Sequence, residues 1–178
     1  MARDQNNTLT QNCYVVRNIE DSMKFWMETF DVGPFFLLPH LALTDVTHRG
    51  APAELDISAA LAFSGNVQIE LIEQHNDGPS AYRDVVPKGE EGFHHICLYP
   101  DDYEGSIAKY EALGCPNAGS GALAANGTRF VYMDARERLN CMVELVDAPA
   151  GSSALWAPMV EATDSWDGVT DPIRVITL

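Results

Sequence analysis

Basic residues are scarce in this 178-residue sequence: 11 Lys and Arg stand against 26 Asp and Glu, and the formal net charge is −15. This balance argues against a nucleic-acid partner, because a phosphate backbone is bound by a basic surface. It is also unfavourable for a ligand that carries several phosphates. Because 46% of the residues are hydrophobic, the chain can bury a real core, and we expect a small-molecule partner.

Long apolar runs are missing as well. No run approaches the ~20 residues of a membrane-spanning helix. The first stretch, MARDQNNTLTQN, is polar where a secretory signal would be apolar. We therefore expect a cytoplasmic protein without a membrane partner.

Paired cysteines are absent too. The four cysteines form no CxxC motif, and three of them lie in apolar stretches that read as strands. This pattern is typical of small buried thiols in a reducing compartment, and a metal–thiolate site is the alternative. The cysteines are Cys13, Cys97, Cys115 and Cys141.

The sequence does contain an internal repeat. The stretch NVQIELIEQ, which includes Glu70, recurs as NCMVELVDA, which includes Glu144. Upstream, QNCYVVRNIEDSMKFW begins at Gln11 and is echoed by HICLYPDDYEGSIAKY, which begins at His95. The two blocks are about ten residues further apart in the first copy. Two similar modules are therefore predicted.

Each module has the pattern of a strand, a helix and three further strands. The first strands are Cys13–Val16 and His94–Tyr99, and each is followed by a good helix-capping residue, Asn18 or Asp102. We predict an α+β fold in which two tandem βαβββ modules form one domain, with a concave mixed sheet (a cup) and helices outside it. The predicted parts are a first module at 9–74, a connecting loop at 75–92, a second module at 93–148 and a C-terminal helical tail at 149–178.

A carboxylate inside a buried strand is costly unless something compensates it. Because side chains alternate along strands, pseudo-symmetric pairing of the modules would bring four of them to one concave surface. These are Gln11, Glu70, His95 and Glu144. Two carboxylates forced together repel each other, whereas a divalent cation satisfies both. With an imidazole and an amide oxygen, the set suits one Zn²⁺, Ni²⁺, Co²⁺, Mn²⁺ or Fe²⁺ ion.

The surroundings of these four residues give two further expectations. Each glutamate could pair with an arginine instead of a metal, and Arg129 and Arg136 are available for that. Strand alternation also puts His94 on the opposite face from His95, where it would pack or hydrogen-bond behind the sheet.

Four stretches, taken in order, resemble the vicinal oxygen chelate superfamily, which includes glyoxalase I, methylmalonyl-CoA epimerase, extradiol dioxygenases and bleomycin-resistance proteins. The stretches are YVVRNIEDSMKFWMETFDVGPF, VQIELIEQHNDGPSAYRD, GEEGFHHICLYPDD and FVYMDARERLNCMVELVD. The resemblance covers about residues 9–148 and is greatest to the glyoxalase-like branch. By position it implies the same four metal ligands, with Gln11 where many members have His and some glyoxalases have Gln.

The resemblance implies a metal-dependent isomerase, epimerase or lyase that acts on a small oxygenated substrate through a metal-stabilised enolate or enediolate. It makes Glu144 the base and Asp56 the nearest candidate for a second acid. It also implies a homodimer. The side chains expected to contact the substrate are Phe35, Phe36, Ile72, Tyr82, Tyr99 and Met142.

Two other functions stay open on the sequence. One is a metal-free small-molecule binding protein of the bleomycin-resistance type, which would use the cup only as an apolar pocket. The other is a ring-cleaving dioxygenase, which is disfavoured because that chemistry needs two His and one carboxylate. With Gln11 in the first strand, the chain lacks that set unless His94 or another His moves in.

Overall fold

The computed structural model describes residues 9–148 and 152–176. Within these ranges, the strands are β1 (Gln11–Val15), β2 (Phe35–Leu38), β3 (Leu43–His48), β4 (Ala51–Pro52), β5 (Ile57–Ser64), β6 (Val67–Gln74), β7 (Gly92–Leu98), β8 (Asn117–Leu123), β9 (Arg129–Asp134), β10 (Met142–Asp147) and β11 (Ile173–Val175). The helices in the same ranges are α1 (Ile19–Phe30), α2 (Ala81–Val85), α3 (Tyr103–Ala112), α4 (Arg136–Leu139) and α5 (Ser152–Asp164).

The described strands form one mixed, curved and unclosed sheet in the order β11-β2-β5-β6-β1-β7-β10-β9-β8-β3-β4. The first strands of the two modules, β1 and β7, pair antiparallel near its centre. Each has the last strand of its own module on its other side in a parallel pair, β6 beside β1 and β10 beside β7. The predicted α+β fold is confirmed, and the two glutamate-bearing strands flank the central pair.

The two long helices of the modules begin at the residues that the sequence predicts. Asn18 is the N-cap of α1, and its Oδ1 accepts a hydrogen bond from the Asp21 N–H at 2.9 Å. Asp102 caps α3 in the same way, accepting from the Gly105 N–H at 2.9 Å. These oxygens satisfy donors that the first turn of a helix leaves unpaired.

Apolar side chains on the two faces of the sheet form separate clusters. On the convex side, Met23 of α1 packs in one cluster with Leu71 of β6, and Tyr103 of α3 packs in another with Leu145 of β10. The concave side has a cluster of its own around Ile72 of β6. Helices α1 and α3 therefore cover the outside of the cup, whereas side chains of α2 and α5 contribute to its concave side.

The additional residues of the first module form the hairpin β3–β4, which crosses to the second module and pairs with β8. Arg49, in the turn of this hairpin, donates to Asp84 Oδ2 and to Asp134 Oδ2 at 2.7 Å each. Hydrogen bonds from Arg136 and Arg49 hold the pKa of the Asp134 carboxyl well below its usual range. The hairpin thus fastens the first module to the far edge of the second.

The tail folds back over the first module. Helix α5 packs against β5, and β11 adds a parallel strand beside β2. Trp166 lies against Gly33 so closely that a Cβ there would be 2.6 Å from the indole ring. The predicted tail helix is present from Ser152, whereas β11 is an addition, and 149–151 and 177–178 lie outside the described residues. None of the described helices has the length and apolar character that a membrane crossing requires.

Replacing Asn18 by Ala should lower the free energy of unfolding by ~1 kcal/mol, because the Asp21 N–H loses its acceptor in the first turn of α1. Asn18→Ser is the matched control, since serine keeps a side-chain oxygen at the N-cap and should retain most of the stability. Urea unfolding followed by circular dichroism measures both variants. Unchanged stability of Asn18→Ala would contradict the role of this cap.

Candidate metal centre

Four polar side chains meet on the concave side of the sheet, one from each of its four central strands. They are Glu70 of β6, Gln11 of β1, His95 of β7 and Glu144 of β10. The strand register brings them together: Cys13 lies opposite both Glu70 and His95. In the symmetric arrangement, Cys97 lies opposite both Gln11 and Glu144. The pairing of β1 with β7 therefore places both halves of the repeat around one point.

The Nε2 atom of His95 is the point on which the other three side chains converge. It lies 3.2 Å from Gln11 Oε1, 3.4 Å from Glu70 Oε2 and 3.2 Å from Glu144 Oε2. His95 is fully buried, and Gln11 and Glu144 are nearly so. A single ring nitrogen carries at most one proton, so it cannot satisfy three oxygen acceptors by hydrogen bonding.

His94 turns to the same side as His95, because the register between β1 and β7 shifts at this point. The expectation that His94 packs behind the sheet is therefore wrong, since a β-bulge interrupts the alternation of side chains. The His94 ring instead lies 4.8 Å from that of Tyr82 and 5.4 Å from that of Tyr132, on the cup side.

The hydrogen bonds of His94 determine which ring nitrogen of His95 is unprotonated and presents its lone pair to the three oxygens. Burial and the charge of His95 lower the pKa of His94, so its ring is neutral. The Ala81 carbonyl oxygen lies 2.9 Å from His94 Nε2, which must donate to it. The bare Nδ1 of His94 then accepts from the Nδ1–H of His95 at 2.7 Å. In neutral His95, Nε2 is consequently the unprotonated atom.

This donor set fits a divalent metal ion. Nitrogen and oxygen ligands ~2.1 Å from a common ion lie ~3.0–3.4 Å from one another, and the separations around His95 are 3.2–3.4 Å. Two carboxylates, an amide oxygen and an imidazole lone pair are ligands that Zn²⁺, Ni²⁺, Co²⁺, Mn²⁺ and Fe²⁺ accept. Gln11 is oriented for this role, because its Nε2 donates to Gln68 Oε1 at 2.8 Å and leaves Oε1 towards His95.

In the absence of a cation, the two carboxylates favour a proton on His95. Burial by itself would lower the pKa of His95, but the charges of Glu144 and Glu70 raise it to about 9. Burial likewise works against the charged form of Glu144, yet the neighbouring His95 charge lowers the pKa of that carboxyl. A metal ion would take the place of the proton, since a ligating imidazole must be neutral.

Neither of the two arginines considered as alternative partners forms an ion pair with Glu70 or Glu144 among the described residues. Arg129 pairs with Asp147 at 2.6 Å and with Glu104 at 2.7 Å. Arg136 pairs with Asp134 at 2.7 Å. The pairing of the two glutamates with arginine, left open by the sequence, is therefore excluded.

A cavity of about 220 Å³ opens beside the four-residue cluster. Of the side chains predicted to contact a substrate, Ile72, Tyr82 and Tyr99 line it. Tyr132 of β9 lines it as well, and its hydroxyl lies 2.7 Å from that of Tyr82. Sequence reasoning missed Tyr132 because β9 lies outside the two repeated sequence blocks, although alternation with Phe130 on the same strand could have indicated its face.

The other three predicted contacts do not line the cavity. Phe35 packs into the convex-side cluster under α1. Phe36 lies on the concave face beneath the guanidinium of Arg174, 5.7 Å from the ring centroid. Met142 is fully buried in the concave-side cluster, within the wall of the cup.

Asp56, the candidate second acid, is not brought to the cluster. Its Oδ1 lies 2.8 Å from Nδ1 of His40, and the carboxylate side chain is 46% exposed. Together with His75 these two residues form a separate group outside the cavity. A catalytic role for Asp56 stays a prediction.

Comparison with known proteins identifies the family of this chain. Residues 10–132 match the family model described as Glyoxalase/Bleomycin resistance protein/Dioxygenase superfamily. Among solved structures, methylmalonyl-CoA epimerase from Mycobacterium tuberculosis is similar at 15% identity and a TM-score of 0.57, over 87% of this chain and 96% of that one. A hypothetical protein from Bacillus halodurans C-125 is similar at 20% identity and a TM-score of 0.57, over 81% and 96%.

A third similar structure is a methylmalonyl-CoA epimerase in complex with methylmalonyl-CoA and NH4+, at 15% identity and a TM-score of 0.53, over 82% of this chain and 97% of that one. At such identities the likeness shows the fold alone. No curated protein matches the chain at a significant level.

Two βαβββ modules that share a cupped sheet, with a nitrogen–oxygen ligand cluster at its centre, define a glyoxalase-like protein. The chain belongs to the Glyoxalase/Bleomycin resistance protein/Dioxygenase superfamily. The resemblance read from the sequence is thus confirmed, and the cluster is a possible site for the divalent metal that members commonly bind. The matched segment ends before β10, so Glu144 lies beyond it.

Replacing His94 by Phe should weaken divalent-metal binding by ~10–100-fold, because the Nδ1–H of His95 loses the acceptor that orients the ring. His48→Phe is the matched control, since His48 contacts Asp84 and does not line the cup. Titration calorimetry with a competing chelator measures both affinities. Equal metal affinity in the two variants would show that His94 does not support the ligand.

Proposed function

We propose that the protein is a metal-dependent isomerase, epimerase or lyase of the glyoxalase type that acts on a small oxygenated substrate. One observation carries the proposal: three oxygens from three different strands lie 3.2–3.4 Å from the Nε2 atom of a buried histidine. In the metal-free protein the three oxygens share at most one proton on this nitrogen, whereas a divalent ion can bind all four groups at once. The metal ligands are Gln11, Glu70, His95 and Glu144.

A bound ion would supply electrostatic stabilisation for negative charge that develops on a substrate oxygen. The side chains of the protein perform the remaining tasks. Gln68 and His94 hold Gln11 and His95 in place through the hydrogen bonds described above. The apolar walls around Ile72 exclude water from the substrate, which strengthens electrostatic interactions in the cup.

Glu144 is the proposed base that removes a proton from the substrate carbon next to the oxygen. It lines the cavity and is almost completely buried, with Oε2 at 3.2 Å from His95 Nε2. A carboxylate in this position borders both the ligand cluster and the open space that a substrate would fill. Glu70 lines the cavity from the other side and remains the ligand equivalent to Glu144 in the repeat.

A metal-free binding protein is the second candidate, because the cup is largely apolar. Ring cleavage is less well supported: both nitrogens of His94 are hydrogen-bonded, which leaves His95 as the histidine that faces the oxygens.

A cytoplasmic location is proposed from the four free cysteines in the described residues, which suit a reducing compartment. A homodimer stays a prediction from the resemblance.

The purified protein should contain one divalent ion per chain, and removal by a chelator should lower its unfolding temperature, because a ligand that binds only the native state stabilises it. Elemental analysis and thermal unfolding with and without added Zn²⁺, Ni²⁺, Co²⁺, Mn²⁺ or Fe²⁺ measure this. Glu70→Gln should reduce the metal content, whereas Asp147→Asn should not. No metal at any stoichiometry, together with unchanged stability on metal addition, would favour the metal-free binding protein.

Replacing Glu144 by Gln should slow proton exchange at the substrate carbon by ~10²–10⁴-fold, because the general base is lost while the amide oxygen can still face the ion. The measurement is incorporation of solvent deuterium, followed by NMR, into small carbonyl compounds that the unmodified protein labels. Asp147→Asn removes a carboxylate from the same strand but outside the cup, so this variant should catalyse proton exchange at the rate of the unmodified protein. Retained exchange in Glu144→Gln would exclude Glu144 as the base.

A further inference from the structure

The walls of the cavity are apolar on both sides of the four-residue cluster. Leu61 and Ile72 line it from the first module, and Phe130 and Val146 line it from the second. Its volume of about 220 Å³ is below the ~300–1,000 Å³ of ordinary ligand sites. Such a space accommodates a small molecule with a mainly hydrophobic body.

The described residues that line this cavity include no Lys or Arg, and its charged members are Glu70 and Glu144. Arg174 of β11 is two residues before Ile176, which lines the cavity, but the Arg174 guanidinium stacks over Phe36 and donates to the Asp171 carbonyl oxygen at 3.3 Å. Several phosphates or carboxylates on a ligand would therefore find little compensating charge here. The net charge of −15 adds a general repulsion of anions.

The tail contributes to these walls from outside the segment that matches the family. Trp156 and Met159 of α5 and Ile176 after β11 line the cavity, whereas the family match ends at residue 132. Ile176 is held in place because its N–H donates to the Leu37 carbonyl oxygen at 2.8 Å. The described part of the tail thus adds three apolar groups to the cavity wall and no Lys or Arg.

We propose that the cup takes a small, uncharged and mainly apolar substrate whose oxygen-bearing end faces the Glu70–His95–Glu144 cluster, and that its specificity is set in part by Trp156, Met159 and Ile176. Thioesters of coenzyme A and adducts of glutathione fall outside this class, since the former carry several phosphate charges and the latter carry two carboxylates and an ammonium group on a polar body. The orientation of the oxygen-bearing end rests on the proposed function. The preference for an uncharged body rests on the walls alone.

Binding of matched probes tests this proposal on the full-length protein with its metal. The probes are the 4-nitro derivative of 2-hydroxyacetophenone, which is neutral, the 4-carboxy derivative, whose carboxylate has nearly the shape of the nitro group and adds one negative charge, and methylmalonyl-CoA. Titration calorimetry should give at least ~10-fold tighter binding for the neutral probe than for either charged one. Equal or tighter binding of a charged probe overturns the proposal, and so does a neutral probe that fails to bind the folded protein.

Two single substitutions test the role of the tail with the same probes. Ile176→Lys puts a cation into the cavity wall and should weaken binding of the neutral probe. The ratio of its affinity to that of the 4-carboxy derivative should fall by ~10-fold. Val175→Lys adds the same charge to the adjacent residue, which faces away from the cup and is 63% exposed, and should bind all probes like the unmodified protein. Identical probe affinities in these two variants would show that Ile176 does not contribute to the site.

The same titrations after chelation separate this inference from the proposed function. Without metal, the neutral probe should still bind more tightly than the charged probes, because the apolar walls do not depend on the ion. Loss of that advantage in the chelated, folded protein would overturn the proposal. Absence of metal from the purified protein, together with unchanged stability on metal addition, would instead refute the proposed function and leave the probe preference intact.

Discussion

Three oxygen acceptors around one histidine nitrogen are the constraint on which the concave side of this protein is built. His95 Nε2 has Gln11, Glu70 and Glu144 oxygens within 3.4 Å, in a place where water is largely excluded. Such crowding persists only if the backbone imposes it, and here four adjacent strands do so. The pairing of β1 with β7 brings the two halves of the repeat into register, and a slip by one residue would turn the glutamates to the convex side.

The repeat supplies the ligands, and departures from the repeat supply the rest of the site. The bulge at His94 gives His95 a hydrogen-bond partner that a regular strand would have placed behind the sheet. The hairpin β3–β4 crosses to β8 and ties the modules together through Arg49. The tail returns to the first module and adds an apolar wall. Each departure breaks the symmetry at the place where symmetric modules would leave the cup open or poorly supported.

Features of the fold and of the site could be predicted where they follow from neighbouring residues in the sequence, and not where they depend on irregular or distant strand pairing. Alternation along strands correctly grouped Gln11, Glu70, His95 and Glu144, because period-two geometry holds wherever a strand is regular. It failed at His94, since a bulge leaves no mark in composition. The pair Phe35 and Phe36 could not both face a ligand, because neighbours in a strand point to opposite sides. The strand β11 depends on pairing with β2, more than a hundred residues earlier in the chain, and no local pattern predicts it.

The charges in the cup decide what it can hold. In the metal-free protein, two carboxylates are opposed by one histidine proton, so the cluster keeps one negative charge and repels anions. A divalent ion bound with neutral His95 balances the charge of the two carboxylates, so the cluster is neutral and has no excess positive charge. Since no Lys or Arg lies among the described residues of the wall, neither state attracts a polyanionic carrier. A neutral substrate avoids this electrostatic cost in both states and gains apolar contact with Trp156 and Ile176, so the acidity of the chain and the hydrophobic tail favour the same class of ligand.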